Sequence, residues 1–275
     1  MKDKITAQLL SKKLCTIKKN KQVDISDEEV NWLVQHIGDK DQKIRDGLVY
    51  QFLTLGLVSN LFTLKQHNNI HKEIIDKKLI FQNINKKSYY TLTRSFTALI
   101  SGTLLYVDDD QTSIYYQKLS PKGRCYLMQS SIDYLNNEKD ITGYSEKYGW
   151  VHAMAHAGDY LSATISHSQF SESWVPEVLQ AIKNVVFAIK VPFIDEEEKR
   201  IAEALVQGIL NHRISQSQLS EWISTFSFDL SNQSAYYQLM IFKNMLAYIY
   251  FHLRKHQFGI SSKLIEGLFK VLEEY

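Results

Sequence analysis

A chain of 275 residues is long enough to bury a substantial core, and its 44% hydrophobic and 23% charged content is ordinary for a folded globular protein. The formal net charge of +2 argues against a general polyanion-binding surface, and Cys15 and Cys125 lie too far apart for a disulfide framework or a Cys-x-x-Cys zinc site. Three prolines and eleven glycines are few for a strand-rich fold, which needs frequent turn residues, so long helices with short connections are expected.

The chain opens with Lys2, Lys4, Lys12, Lys13, Lys18, Lys19 and Lys21 against a single Asp3. This reads as a solvated helix face, with weak contact to an anionic partner as the alternative. No apolar signal-peptide core is present there, so a cytoplasmic setting is expected. Ser26, with Glu29 three positions on, forms a capping box ahead of an apolar-periodic run. Residues 36–57 resemble the second half of a HEAT repeat, with Asp39 and Asp41 in the turn and Arg45 in the helix that follows. The uncharged run "LVYQFLTLGLVSNLFTL" (48–64) is interrupted by Gln51, Thr54, Gly56, Ser59 and Asn60. It is marginal for a membrane span and reads as a buried helix.

Arg45-Asp46 and Arg94 sit in apolar helical surroundings, where a lone charge is expensive. Either they clamp stacked helices or they present a guanidinium fork to an anionic substrate. Asp108, Asp109 and Asp110 lack the spaced ligands of a calcium loop and read as a solvated turn. Ser120-Pro121 gives an N-cap with proline at the first helical position. Asp195 with Glu198 repeats the capping-box spacing, Ser217 opens "QLSEWISTF", and Ser231 opens the long closing run. No segment alternates cleanly with period two. About twelve helices are expected, in one all-helical domain over residues 1–275, arranged as a HEAT-like α-solenoid or a layered bundle.

The stretch "YGWVHAMAHAGDYL" (148–161) carries His152, His156 and Asp159 within an apolar run. With Ser145 as its cap, a helix starting near Gly149 would be apolar almost all round, and these three would fall in a wedge of roughly 60°. Histidines at i and i+4 are spaced to grip one metal ion, but Ala153 stands where a His-Glu-x-x-His protease keeps its general base. Asp159 lies about 10 Å along the axis from His152, too far to share its ion. It would hold His156 or a metal shared with it.

The segment "EKDITGYSEKYGWVHAMAHAGDYL" resembles the signature of a bacterial family, Domain of Unknown Function 2785, built on a Gly-Trp-x-His-x-x-x-His-x-x-Asp core. Gly149, Trp150, His152, His156 and Asp159 match that core; "AHAGD" stands where family members commonly read "AHGAD", exchanging Gly and Ala. Similarity extends to "KIRDGLVY" (43–50), "TRSFTALI" (93–100), "DEEEKRIAEAL" (195–205) and "IFKNMLAYIYFHL" (241–253). The resemblance implies an all-helical fold and supplies no activity.

Two functional readings follow. In the first, the chain is a helical-repeat binding or scaffold module, with the His-His-Asp cluster as interior glue. In the second, it is a metal-dependent hydrolase-type enzyme. There His152 and His156 hold a divalent ion or move a proton, Asp159 orients one of them, and Arg45 or Arg94 holds the substrate. Aromatic residues are not interleaved with Lys and Arg, and no nucleotide-binding loop is present, which argues against a nucleic-acid partner. A protein or small-molecule partner fits either reading.

Overall fold

The computed structural model describes residues 2–19 and 21–273, and α-helix dominates them. Ser26 and Glu29 form the expected capping box at the start of α2 (Asp27–Gln35), which follows α1 (Lys2–Ile17). Asp41 caps α3 (Gln42–Ile44), which runs through a π-turn (Arg45–Tyr50) into α4 (Gln51–Val58) as one unbroken helix. That helix buries Leu48, Val49, Phe52, Leu53 and Leu57, as the apolar run implied. No described helix is long and apolar enough to cross a membrane.

Next come α5 (Leu64–Asp76), α6 (Tyr90–Asp109) and α7 (Pro121–Asn137), the last with the expected Ser120 cap and proline start. A short hairpin, β1 (Tyr144–Ser145) and β2 (Gly149–Trp150), leads into α8 (Ala153–Ser166). The chain continues through α9 (Val175–Ala188), α10 (Glu197–Leu210) and α11 (Gln216–Ser224), then α12 (Gln233–Lys255) and α13 (Ser262–Leu272). Counting α3 to α4 as one, twelve helices are present among the described residues, and the fold is all-α.

The helices stack in two rows. In one, α4, α6, α8, α10 and α12 pack each against the next; behind them α2, α5, α7 and α9 do the same. α11, α12 and α13 close the C-terminal end. The tightest approach is between α8 and α10. A Cβ on Gly158 would come within 2.6 Å of the Arg200 carbonyl carbon, so the two backbones can meet only because this residue has no side chain. Buried apolar side chains run as one contiguous core from Leu10 to Val271.

Several local expectations are corrected. Ser215 and Asn232, not Ser217 and Ser231, cap α11 and α12. The Asp108–Asp110 run is not simply a solvated turn. Asp108 is fully buried, its carboxylate taking Arg124 Nε at 2.5 Å, the Leu119 N–H at 2.8 Å and His167 Nε2 at 3.3 Å. Asp110 caps the turn that follows, accepting from the Thr112 N–H.

The lysine-rich start is partly tied down. Lys13 Nζ lies 2.6 Å from Glu29 Oε1 and Lys18 donates to Gln51 Oε1, while Lys12, Lys19 and Lys21 are exposed. The side chains of Lys2, Asp3 and Lys4 lie outside the described ones.

Candidate functional site

The helix expected from Gly149 does not begin there. Ser145 pairs with Gly149 and Tyr144 with Trp150 in the hairpin, and Gly149 takes a φ of 71° that favours glycine. His152 then adopts a left-handed backbone (φ 46°, ψ 34°) at the N-cap of α8. Its ring therefore leaves the hairpin rather than the helix, and lies tilted against Trp150 with centroids 4.3 Å apart.

Arg45 anchors this hairpin from across the fold. Its Nη2 donates to the carbonyls of Tyr148 (2.7 Å) and Trp150 (3.0 Å), Nη1 donates to the Asp39 carbonyl, and Nε lies 2.8 Å from Asp46 Oδ1. Its guanidinium also covers the Phe96 ring at 4.8 Å. Arg94 points elsewhere. It makes a two-pronged pair with Glu138 and donates further to Gln82, Asn83 and Thr91. Both arginines, offered by the sequence as anion holders, have their donors occupied by the protein itself.

His156 follows one turn into α8, its ring edge-on to His152 with centroids 5.8 Å apart. Ser95 fixes its tautomer. The single hydroxyl proton of Ser95 goes to the Val151 carbonyl at 2.5 Å, because a carbonyl can only accept. The 2.7 Å contact to His156 Nδ1 must then be an N–H of the imidazole donating to Ser95 Oγ. That leaves Nε2 as a lone pair. Burial, aided by His152 and Arg200, pushes the His156 pKa down to about 3, so the ring stays neutral.

Asp159 does not join either histidine. It accepts from Arg200 Nη1 at 3.0 Å, and burial pushes its carboxyl up while Arg200 opposes that rise. His152 and Asp159 are half-buried, more open than an apolar-all-round helix implied. Asp159 instead borders a separate cleft of about 550 Å³ between α6, α8 and α10, which neither His152 nor His156 lines.

Around His152 the structure assembles residues that the sequence reading assigned to another task. Asp195 does not cap α10; Glu196, with φ 65°, occupies that position and its side chain caps nothing. Asp195 Oδ2 accepts from the Tyr144 N–H of the hairpin at 3.1 Å. Glu197 Oε2 accepts from the Asp195 N–H at 3.1 Å, which aims Oε1 back toward the hairpin. One ligand atom each from His152, Asp195 and Glu197 lies within 4.8 Å of the others. Gly143 forms the floor: its carbonyl accepts from the Val151 and His152 N–H groups, and a Cβ there would strike Asp195 Oδ2 at 1.9 Å and Glu197 Oε1 at 2.7 Å. The sequence signal was the acidic run 195–198, whose caplike spacing concealed a site.

The electrostatics of this corner are uneven. Glu197 is 1% exposed, and burial pushes its carboxyl up, with Asp195 and Glu198 adding to the rise. His152 is pushed down by burial, while the Asp195 carboxylate works the other way. Its Nε2 and the Glu197 Oε1 are both sealed from solvent without a hydrogen-bond partner.

No curated protein and no solved structure matches the chain. Residues 80–251, from just before α6 to near the end of α12, match a family described as Protein of unknown function (DUF2785). That span holds the hairpin, His152, His156, Asp195 and Glu197, and covers more than half of the sequence: the chain belongs to the DUF2785 family.

Proposed function

We propose that this is a helical binding module, folded as one unit, whose ligand sits where the hairpin meets the starts of α8 and α10. One observation carries the reading: His152 Nε2 and Glu197 Oε1 are sealed from water and neither has a partner. Each such group costs about 1–3 kcal/mol, and buried polar atoms in folded proteins are overwhelmingly paired. Two of them beside one another, supported by Asp195, mark a place where a bound species supplies the missing interactions. The two exposed free thiols, Cys15 and Cys125, suit a cytoplasmic setting.

A hydrolase-type enzyme is the second reading, and the Ser95–His156 contact favours it. A neutral imidazole with Nε2 as its lone pair is a ready proton acceptor next to His152. In that reading Arg200, exposed and held by Asp159, is better placed for an anionic substrate than Arg45 or Arg94, whose donors are filled. Asp159 then serves by orienting Arg200, and His156 shares the site with His152.

The unliganded stability of Glu197→Gln and His152→Asn tests the binding reading; Asn tolerates the left-handed backbone. A site built for a ligand carries destabilising groups, so both variants should melt at or above the wild-type midpoint in chelator. Midpoints that fall would mean the cluster is interior glue.

A further inference from the structure

We infer that the ligand is a divalent first-row transition-metal ion held by His152 Nε2 and the carboxylates of Asp195 and Glu197. The inference rests on the binding reading above and names its ligand class. Three arguments support it.

The first is charge. Two carboxylates face each other across Gly143, and among the described residues neither Asp195 nor Glu197 makes an ion pair. The Lys and Arg side chains nearby are engaged elsewhere, Arg200 with Asp159 and Lys199 with Glu196. Buried carboxylates are normally paired or bound to metal, and this pair lacks a protein cation.

The second is geometry. The ligand atoms lie within 4.8 Å of one another, yet no hydrogen bond joins the His152, Asp195 and Glu197 side chains. That is too wide for direct pairing and suits an ion placed between them, with bonds of about 2.0–2.2 Å. Each ligand is held from behind: Asp195 by the Tyr144 N–H, Glu197 by the Asp195 N–H, and His152 by its backbone and the Trp150 ring. Such outer contacts are what orient metal ligands. Gly143 keeps the space clear, since any side chain there would enter it.

The third is donor chemistry. One imidazole and two carboxylates suit zinc, manganese or ferrous iron; magnesium and calcium prefer all-oxygen sets. Three protein ligands also leave at least one coordination position open, the pattern of sites that act on a bound molecule rather than merely staple a fold.

Calorimetric titration of the full chain with Zn²⁺ and with Mn²⁺, beside thermal melts in each ion and in chelator, tests the inference. The expected result is one ion per chain and a midpoint that rises with Zn²⁺ or Mn²⁺ and not with Ca²⁺. Glu197→Gln, His152→Asn and Gly143→Ala should each weaken binding by on the order of 100-fold or more, beyond the loss caused by removing an outer contact. A wild-type protein indifferent to both ions would overturn the inference, as would binding that persists undiminished in all three variants. Should a variant fail to fold, the wild-type titration still decides. The ligand-site reading fails separately: it falls only if the chelated Glu197→Gln and His152→Asn proteins melt below wild type.

Discussion

Arg94 and Glu138 meet edge to edge in the interior, Nε to Oε2 at 2.7 Å and Nη2 to Oε1 at 2.9 Å, with neither side chain reaching solvent. Glu138 follows the last residue of α7 and also accepts from the Lys139 and Asp140 N–H groups, so the pair ties α6 to the start of the loop that becomes the hairpin. Removing one partner strands a buried charge. Glu138→Ala should cost about 3–5 kcal/mol, while Arg94→Met with Glu138→Leu should recover most of that loss. Urea denaturation of the single and double variants checks it; a double variant no better than the single would show that the backbone contacts of Glu138 matter more than the charge.

His67 gives the protein an acid-sensitive point far from the hairpin. It is fully buried against the Tyr115 ring, centroids 4.6 Å apart, with no partner on either ring nitrogen. Burial, and then His71, pushes its pKa down to about 4 from an ordinary 6.5. The unfolded chain therefore binds this proton more readily than the folded one. Stability should be unaffected above pH 6.5 and fall as pH drops from 6.5 toward 4, by on the order of 3 kcal/mol. His67→Phe keeps the stacking and should flatten that slope in a pH series of melts.

Asp108 acts at lower pH and with the same sign. Burial alone would raise its pKa, but the His167 and Arg124 contacts and the Leu119 N–H outweigh that and hold it below 3.8. Its contribution is present above 3.8 and is lost as pH falls through the lower folded value. Asp108→Asn should abolish this second phase while lowering stability at neutral pH by about 3 kcal/mol or more, because Arg124 remains buried.

Gly158→Ala should be costly despite the better helix propensity of alanine. The new methyl would meet the α10 backbone at Arg200 and Ile201, which cannot step aside without moving the helix. A loss of about 1–3 kcal/mol is expected. An unchanged or higher melting midpoint would show that α8 and α10 slide apart freely.

Because one apolar core runs from Leu10 to Val271, unfolding should be a single cooperative transition. Calorimetry checks this directly: two resolved peaks would divide the chain into separately folding parts.

Helices were legible where capping chemistry is local. Ser26 with Glu29, and Ser120 with Pro121, announce their helices because donor and acceptor sit within one turn. The hairpin was not legible, since two residues per strand are too few to show alternation. That omission displaced the site. With the helix begun at Gly149, His152 seemed to share a face with His156 and Asp159, whereas its left-handed backbone turns it toward Asp195 and Glu197. The acidic run before α10 satisfies a capping pattern on paper, and only the fold shows which carboxylates turn inward. Asp108 was hidden in the same way, as one buried member of three identical residues.

The π-turn at Arg45–Tyr50 holds one residue more per turn than its α-helical flanks. Deleting a single residue there would restore ordinary periodicity and swing everything before it by about 100° relative to α4. Arg45 would leave the Tyr148 and Trp150 carbonyls, and the hairpin that seats His152 would lose its anchor. The widened turn thus works as an angular spacer: the rotational setting of the N-terminal helices determines whether a loop a hundred residues downstream is held in place.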